Sequence, residues 1–135
     1  MDSNVELLTR GNVISKLLEQ IRVEKQTKKL ESIPPWFYNS FRDVLSTLNA
    51  EIEDAGQKDI DRYLELREER RRMELEFRTL FQLRMSKIAR LALYIDDPGD
   101  LMLMTVFEKM AMDGYRNLTQ KLYWRMTGKE EAGAE

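Results

Sequence analysis

The sequence contains no cysteine and no histidine among its 135 residues. Without cysteine, neither a disulfide bond nor a thiolate metal site can form. Without histidine, the chain lacks the commonest general base, the usual ligands of most zinc and di-iron sites, and every Ser-His or Cys-His nucleophile arrangement. We therefore expect no metal site, no cofactor and no catalytic site of these classes.

Long apolar runs and an excess of basic charge are also missing. No stretch approaches the ~20 consecutive apolar residues that a membrane-spanning helix needs, and residues 1–4 lack the basic and apolar segments of a secretory signal. The net charge is −2 with 34% of residues charged, which argues against indiscriminate nucleic-acid binding. We expect a soluble intracellular protein with no membrane contact and no direct sequence-specific DNA binding.

Glycine and proline are few, at 6 and 3 residues, and their positions divide the chain into predicted helices. Both are absent from residues 57–94, which predicts one long central helix of about ten turns and on the order of 55 Å. A compact globule of this chain length is only about 35–40 Å across. Part of this helix, its acidic first half, is therefore expected to be a solvated or interfacial rod.

The other glycine, proline and turn residues separate three further predicted helices. The predicted fold class is all-α, an elongated four-helix bundle around the long central helix. The first helix is predicted at about residues 3–29, and the second follows Pro34 and Pro35 and ends near residue 54. A turn at residues 96–99, with Asp100 as N-cap, precedes a fourth helix at about residues 101–126. Residues 1–126 are predicted to form one helical domain, and residues 127–135 a flexible acidic tail or the start of a linker.

Two arginines fall on the predicted apolar stripe of the long helix. At 100° per residue, Arg70 and Arg84 align with Leu66, Met73 and Leu80. Each could lay its aliphatic stem on the core and extend its guanidinium to solvent, or pair with a carboxylate of another helix or subunit. Together with the methionine-rich fourth helix, this stripe predicts a candidate subunit interface made of Leu66, Arg70, Met73, Arg84, Lys87, Met104 and Met112.

A proline-aromatic cluster separates the first two predicted helices. It forms a candidate structural corner, with an exposed recognition patch as the alternative to a hydrophobic plug over the end of the bundle. Its members are Pro34, Pro35, Trp36, Phe37 and Tyr38.

Two segments resemble a known family. Residues 30–38 (LESIPPWFY) resemble the proline-aromatic corner that follows the first helix of archaeal GINS replication proteins. Residues 76–92 are similar to that family's long helix, which ends in the pattern R-x-x-K-I-x-x-L-A. The pattern is present here as Arg84, Lys87, Ile88, Leu91 and Ala92. The resemblance covers about residues 1–126.

The resemblance implies a non-enzymatic helical domain that joins other GINS subunits in a homo- or hetero-tetramer and supports the MCM replicative helicase. It also implies that the protein is cytoplasmic and nucleoid-associated if it is archaeal, and nuclear if it is eukaryotic. In the branch of the family that begins with the helical domain, a β-rich domain follows. We expect the native gene product to continue past Glu135 into such a module, and the helical domain alone to bind a RecJ-like partner more weakly.

Two other classes of function remain open. An uncharacterised helical adaptor would share the same composition and helix pattern. A small helical enzyme of the AroQ chorismate mutase type needs no histidine, cysteine or metal, and Arg84, Lys87 and Arg90 would form its dicarboxylate site. The long third helix and the proline-aromatic corner have no role in such an enzyme.

Overall fold

The computed structural model describes residues 7–92 and 103–128. Within these two ranges the chain forms four α-helices and no strand, which confirms the predicted all-α bundle. The helices are α1 (Val13–Lys25), α2 (Phe37–Ala55), α3 (Ile60–Leu91) and α4 (Val106–Thr127). The predicted turn at residues 96–99, the predicted N-cap Asp100 and most of the predicted tail lie outside the described residues.

Helix α3 is the central element because it packs against each of the other three helices. Its 32 residues extend over about 48 Å, and the Asp59 carboxylate accepts from the N–H of Arg62 to cap the first turn. The prediction that its first half is a rod outside the core is wrong. Leu66 and Met73 are buried in a core shared with α1 and α2, so α3 is packed along most of its length.

Helix α1 is shorter than the predicted helix at residues 3–29, of which residues 3–6 are not described. Thr9 and Asn12 form a turn ahead of it, in which Oδ1 of Asn12 accepts from the N–H of Thr9 at 2.7 Å. At the other end, the carbonyl of Glu24 accepts from Nζ of Lys87 at 2.8 Å. In a longer helix that carbonyl would accept from a backbone N–H, so contact with Lys87 takes the place of another helical turn.

Helix α4 begins later than predicted, because Thr105 rather than Asp100 is its N-cap. Oγ1 of Thr105 accepts from the N–H of Glu108 at 3.2 Å, and Oε1 of Glu108 accepts from the N–H of Thr105 at 3.0 Å. This reciprocal pair is a capping box, which satisfies two N–H groups that the first turn leaves without helical partners. Gly128, with φ of 79°, ends the helix in the left-handed conformation, which glycine adopts without a steric cost.

Two apolar clusters form the core, and α3 contributes to both. The larger one joins α1, α2 and α3 and includes Leu17, Phe37, Leu48, Met73 and Leu80. The smaller one lies between α3 and α4, and its buried members are Leu30, Ile88, Ala92, Met104 and Met112. Along α3, Leu80 belongs to the first cluster and Ile88 to the second. Arg84 lies one turn from each, between the two.

The proline-aromatic corner lies at the start of α2 and belongs to the larger cluster. The carbonyl of Pro34 accepts from the N–H of Phe37 at 3.0 Å, which turns the chain into the helix. Phe37 is buried, and Trp36 and Tyr38 pack against the cluster, while Pro35 is exposed. The corner therefore covers the core as a hydrophobic plug, which is the interpretation that the sequence favoured.

Candidate functional site

Arg84 is a fully buried cation at the junction of the two core clusters. Its Nε and Nη2 donate to the two carboxylate oxygens of Glu108 at 2.6 and 2.9 Å, a bidentate arrangement. Its Nη1 donates to Oε2 of Glu24 and to the carbonyl of Glu31, and its Nη2 also donates to the carbonyl of Leu103 at 3.0 Å. All five N–H donors of the guanidinium are therefore used within the chain.

Lys87 lies one turn further along α3 and is also buried. Its ammonium donates to Oε1 of Glu24 at 2.6 Å and to the carbonyls of Glu24 and Lys29 at 2.8 and 2.7 Å. These three contacts use all three of its donors. Lys87 thereby holds the end of α1 and the segment that follows it against α3.

Two carboxylates balance these two cations inside the protein. Glu24 of α1 accepts from Arg84 and Lys87, and Glu108 of α4 accepts from Arg84 and from the hydroxyl of Tyr38, which lies on α2. We call these four charged residues and Tyr38 the buried ion-pair network. Because a buried charge is tolerated only when it is paired and hydrogen-bonded, the network fixes how α1, α2 and α4 lie on α3.

The network also shifts the protonation equilibria of its members. Burial alone would raise the pKa of the Glu108 carboxyl, but the hydrogen bonds and charge of Arg84, with Tyr38 and Thr105, bring that pKa below 4.5. Burial would lower the pKa of Arg84, and the Glu108 carboxylate raises it more. Burial and the charge of Glu108 together raise the pKa of Tyr38 above its ordinary 10.0. Arg84 and Glu108 are thus held charged and Tyr38 neutral.

The lowered pKa of Glu108 predicts an acid-dependent loss of stability. Since the folded-state pKa lies below the unfolded value of 4.5, the ionised carboxylate stabilises the fold above that pH, and this contribution is lost as the pH falls through the folded-state pKa. We expect the free energy of unfolding, measured with urea at a series of pH values, to decrease below about pH 4.5. The free energy of unfolding of a Glu108→Gln variant should decrease less over the same pH range. An equal decrease in the variant and the wild type would contradict this prediction.

The charged groups of the buried ion-pair network are occupied by partners within the chain. The donors of Arg84 and Lys87 all point to partners in the chain, and every carboxylate oxygen of Glu24 and Glu108 accepts a hydrogen bond. The prediction of a dicarboxylate site for a chorismate mutase is therefore corrected. Two of its three cations are buried, and all their hydrogen-bond donors already have partners in the chain. Arg90, the third, is exposed on α3.

The structure corrects most of the candidate subunit interface. Leu66, Met73, Arg84, Lys87, Met104 and Met112 are all buried within the chain itself. A side chain that its own fold covers cannot contact a second subunit, so these six belong to the core. Arg70 alone is partly exposed, and its Nη2 lies 3.0 Å from Oε2 of Glu74 on the same helix. The two arginines on the apolar stripe thus differ: Arg84 pairs across helices, and Arg70 pairs along its own helix.

Sequence reasoning missed the partners of Arg84. Glu108 follows Thr105 by three residues, and the pattern Thr-x-x-Glu is a capping-box signal that could have placed the helix start correctly. Glu24 lies three residues after Ile21 and seven after Leu17, both buried, so it continues the inward face of α1. An acid on an inward stripe is the signal that a buried cation lies opposite.

The exposed surface of α4 is a second feature that bears on function. Only Glu108 and Met112 of its 22 residues are buried. On the inward side, Thr105, Glu108 and Met112 are buried, and helix α4 leaves most of its surface exposed. The large apolar side chains that it exposes are Val106, Phe107, Met110, Leu118, Leu122, Tyr123 and Met126.

The described ranges contain neither a candidate metal site nor a candidate membrane-spanning helix. There, no cluster of three or more acidic side chains is placed to hold a metal ion, and no helix is both long and apolar enough to span a membrane. Comparison with protein-family models, with curated proteins and with solved structures gives no match to this chain. Similarity therefore does not assign the chain to a family.

Proposed function

We propose that this chain is a non-catalytic assembly subunit, and specifically a GINS-type subunit that supports a replicative MCM helicase. The observation that carries the first part is that α4 exposes seven large apolar side chains. Exposed large apolar side chains in this number on one helix indicate a protein–protein interaction site. The second part rests on the sequence resemblance, in the order of helices, the proline-aromatic corner and the R-x-x-K-I pattern.

The buried ion-pair network supports this proposal by giving the motif residues a structural role. Arg84 and Lys87, the first two residues of the pattern, join α1 and α4 to α3. Ile88 and Ala92 are buried in the cluster between α3 and α4. A subunit whose work is to present a fixed surface to partners needs its helices held in one arrangement, and these residues provide it.

The proposal predicts self-association or association with related subunits, with a tetramer as the expected state. We expect light scattering to give a mass above that of a monomer at micromolar concentration. Leu118 on α4 and Leu64 on α3 are both 57% exposed, so they form a matched pair. Leu118→Lys should reduce the mass and Leu64→Lys should leave it unchanged; a stable monomer in the wild type, or equal loss in both variants, would contradict assembly through α4.

Partner capture tests the specific part of the proposal. In cells of the source organism, a tagged chain is expected to co-purify with MCM and with related GINS subunits, and the Leu118→Lys variant should recover less of the latter. Recovery of neither would favour a helical adaptor outside replication, which shares the same exposed face. An assay for chorismate mutase activity separates both from the enzymatic alternative, since turnover would contradict a non-catalytic role.

A further inference from the structure

An apolar groove of about 450 Å³ runs between α2 and α3, and α4 contributes no residue to its lining. Its floor is aromatic: the rings of Phe41 and Phe77 stack with centroids 4.2 Å apart, and Phe81 follows with its centroid 6.2 Å from that of Phe77. Tyr38 and Leu45 complete the apolar lining. Phe81 is 44% exposed, so a large aromatic surface remains open to a partner.

The rim of this groove is positively charged. Arg42, Glu74 and Arg78 line it, but Glu74 is paired with Arg70 at 3.0 Å. Arg42 and Arg78 are exposed, and neither takes part in an ion pair with any residue of the ranges 7–92 and 103–128. The groove therefore combines an aromatic floor with two cations whose charge is not neutralised by those parts of the chain.

Two residues that line the groove are held in place by the fold. The hydroxyl of Tyr38 donates to Glu108 in the buried ion-pair network, and Phe41 is buried in the larger core cluster. A surface that is already ordered loses little conformational entropy when a partner binds, which favours affinity.

We infer that this groove binds an amphipathic helix of a partner protein, whose apolar face is flanked by aspartate or glutamate. A groove between two helices accepts the apolar side chains that recur at i, i+3, i+4 and i+7 of such a helix. Aromatic residues and arginine are the types that dominate binding energy at interfaces. Acidic flanks would complement Arg42 and Arg78, which steers association and fixes the orientation.

A second copy of this chain fits the groove less well. Helix α4 offers the exposed apolar face that such a copy would insert, but its exposed charges Lys109, Lys121 and Arg125 outnumber the single acid Asp113. Basic flanks beside a basic rim repel. The inference rests on the proposed function as a protein-binding subunit, and it adds the chemistry of one partner.

A library of helical peptides tests this inference on the full chain. The library carries leucine or phenylalanine at i, i+3, i+4 and i+7, and its flanking positions are randomised among glutamate, lysine and glutamine. We expect selection to enrich glutamate flanks. Affinities of the selected peptides should fall as salt increases, since exposed charge pairs are screened.

Two matched pairs of variants locate the binding site. Phe81→Ala should weaken the selected peptides by about tenfold or more, whereas Leu75→Ala, a similarly exposed residue on α3 that does not line the groove, should not. Arg78→Glu should weaken them about three- to tenfold, whereas Arg72→Glu, on the same helix and outside the groove lining, should leave affinity unchanged. All four side chains are exposed, so the variants retain the core.

Several results would overturn the inference. They are failure to select any peptide, enrichment of lysine or neutral flanks, and affinities that Phe81→Ala leaves unchanged. A further such result could come from sedimentation of the chain alone. If the chain self-associates and Phe81→Ala abolishes this, the groove is a contact between copies of the chain. No helicase component enters this selection, so the groove can bind acidic helices even if the replication proposal fails, and the reverse also holds.

Discussion

Replacement of Arg84 by alanine is expected to lower the free energy of unfolding by about 3–5 kcal/mol. The guanidinium is fully buried and pairs with Glu24 of α1 and Glu108 of α4. Its removal leaves Glu108 without its charged partner in a site from which water is excluded, and an unpaired buried charge carries a large desolvation cost. Urea unfolding at neutral pH measures this loss directly.

Arg71 is the matched control for this prediction. It is also an arginine of α3 with a carboxylate partner, Glu68, at 2.6 Å, but both side chains are more than half exposed. Exposed pairs contribute about 0–1 kcal/mol, so Arg71→Ala should unfold close to the wild type. If the two variants had the same unfolding midpoint, the buried ion-pair network would not be a principal source of stability.

Replacement of Glu108 by alanine is expected to release α4 from the rest of the bundle. Glu108 and Met112 are the only buried residues of this helix, and Glu108 supplies its contacts with Arg84 and Tyr38 as well as one half of the capping box. We expect the free energy of opening of α4 to fall by about 3–5 kcal/mol. Hydrogen exchange should show loss of protection in α4 while the amides of α1 and α2 near Leu17 and Leu48 stay protected.

Glu74→Ala serves as the control, because Glu74 also pairs with an arginine but is partly exposed on α3. This substitution should change the free energy of opening of α4, measured by hydrogen exchange, by no more than about 1 kcal/mol. Equal loss of protection in all four helices of the Glu108→Ala variant would show that α4 does not open as a separate unit.

Local signals in the sequence predicted much of the helix pattern. Glycine and proline delimit α2 and α3. Pro34 and Gly56 flank α2, and α3 lies within the predicted helix at residues 57–94, which contains neither residue type. Helix α4 ends at Thr127, close to the predicted end at about residue 126. These boundaries depend on a few neighbouring residues, and they can be derived without knowledge of the tertiary fold.

The contents of the core could not be derived in this way. The partners of Arg84 lie 60 and 24 positions away in the chain, and no local period relates them to it. The inward side of α4 could not be derived from the sequence pattern either, because it includes the polar Thr105 and Glu108. The buried ion-pair network takes up part of that inward side, and most large apolar side chains of α4 stay exposed.

A double-mutant cycle on Arg84 and Glu108 tests most directly whether the buried ion-pair network holds the helices together. The cycle compares Arg84→Met, Glu108→Gln and the double variant by urea unfolding at neutral pH. Because the two side chains share a bidentate contact in the core, we predict a coupling energy of about 2–3 kcal/mol. Effects that add to within about 0.5 kcal/mol would show that the two residues act independently and would contradict the account.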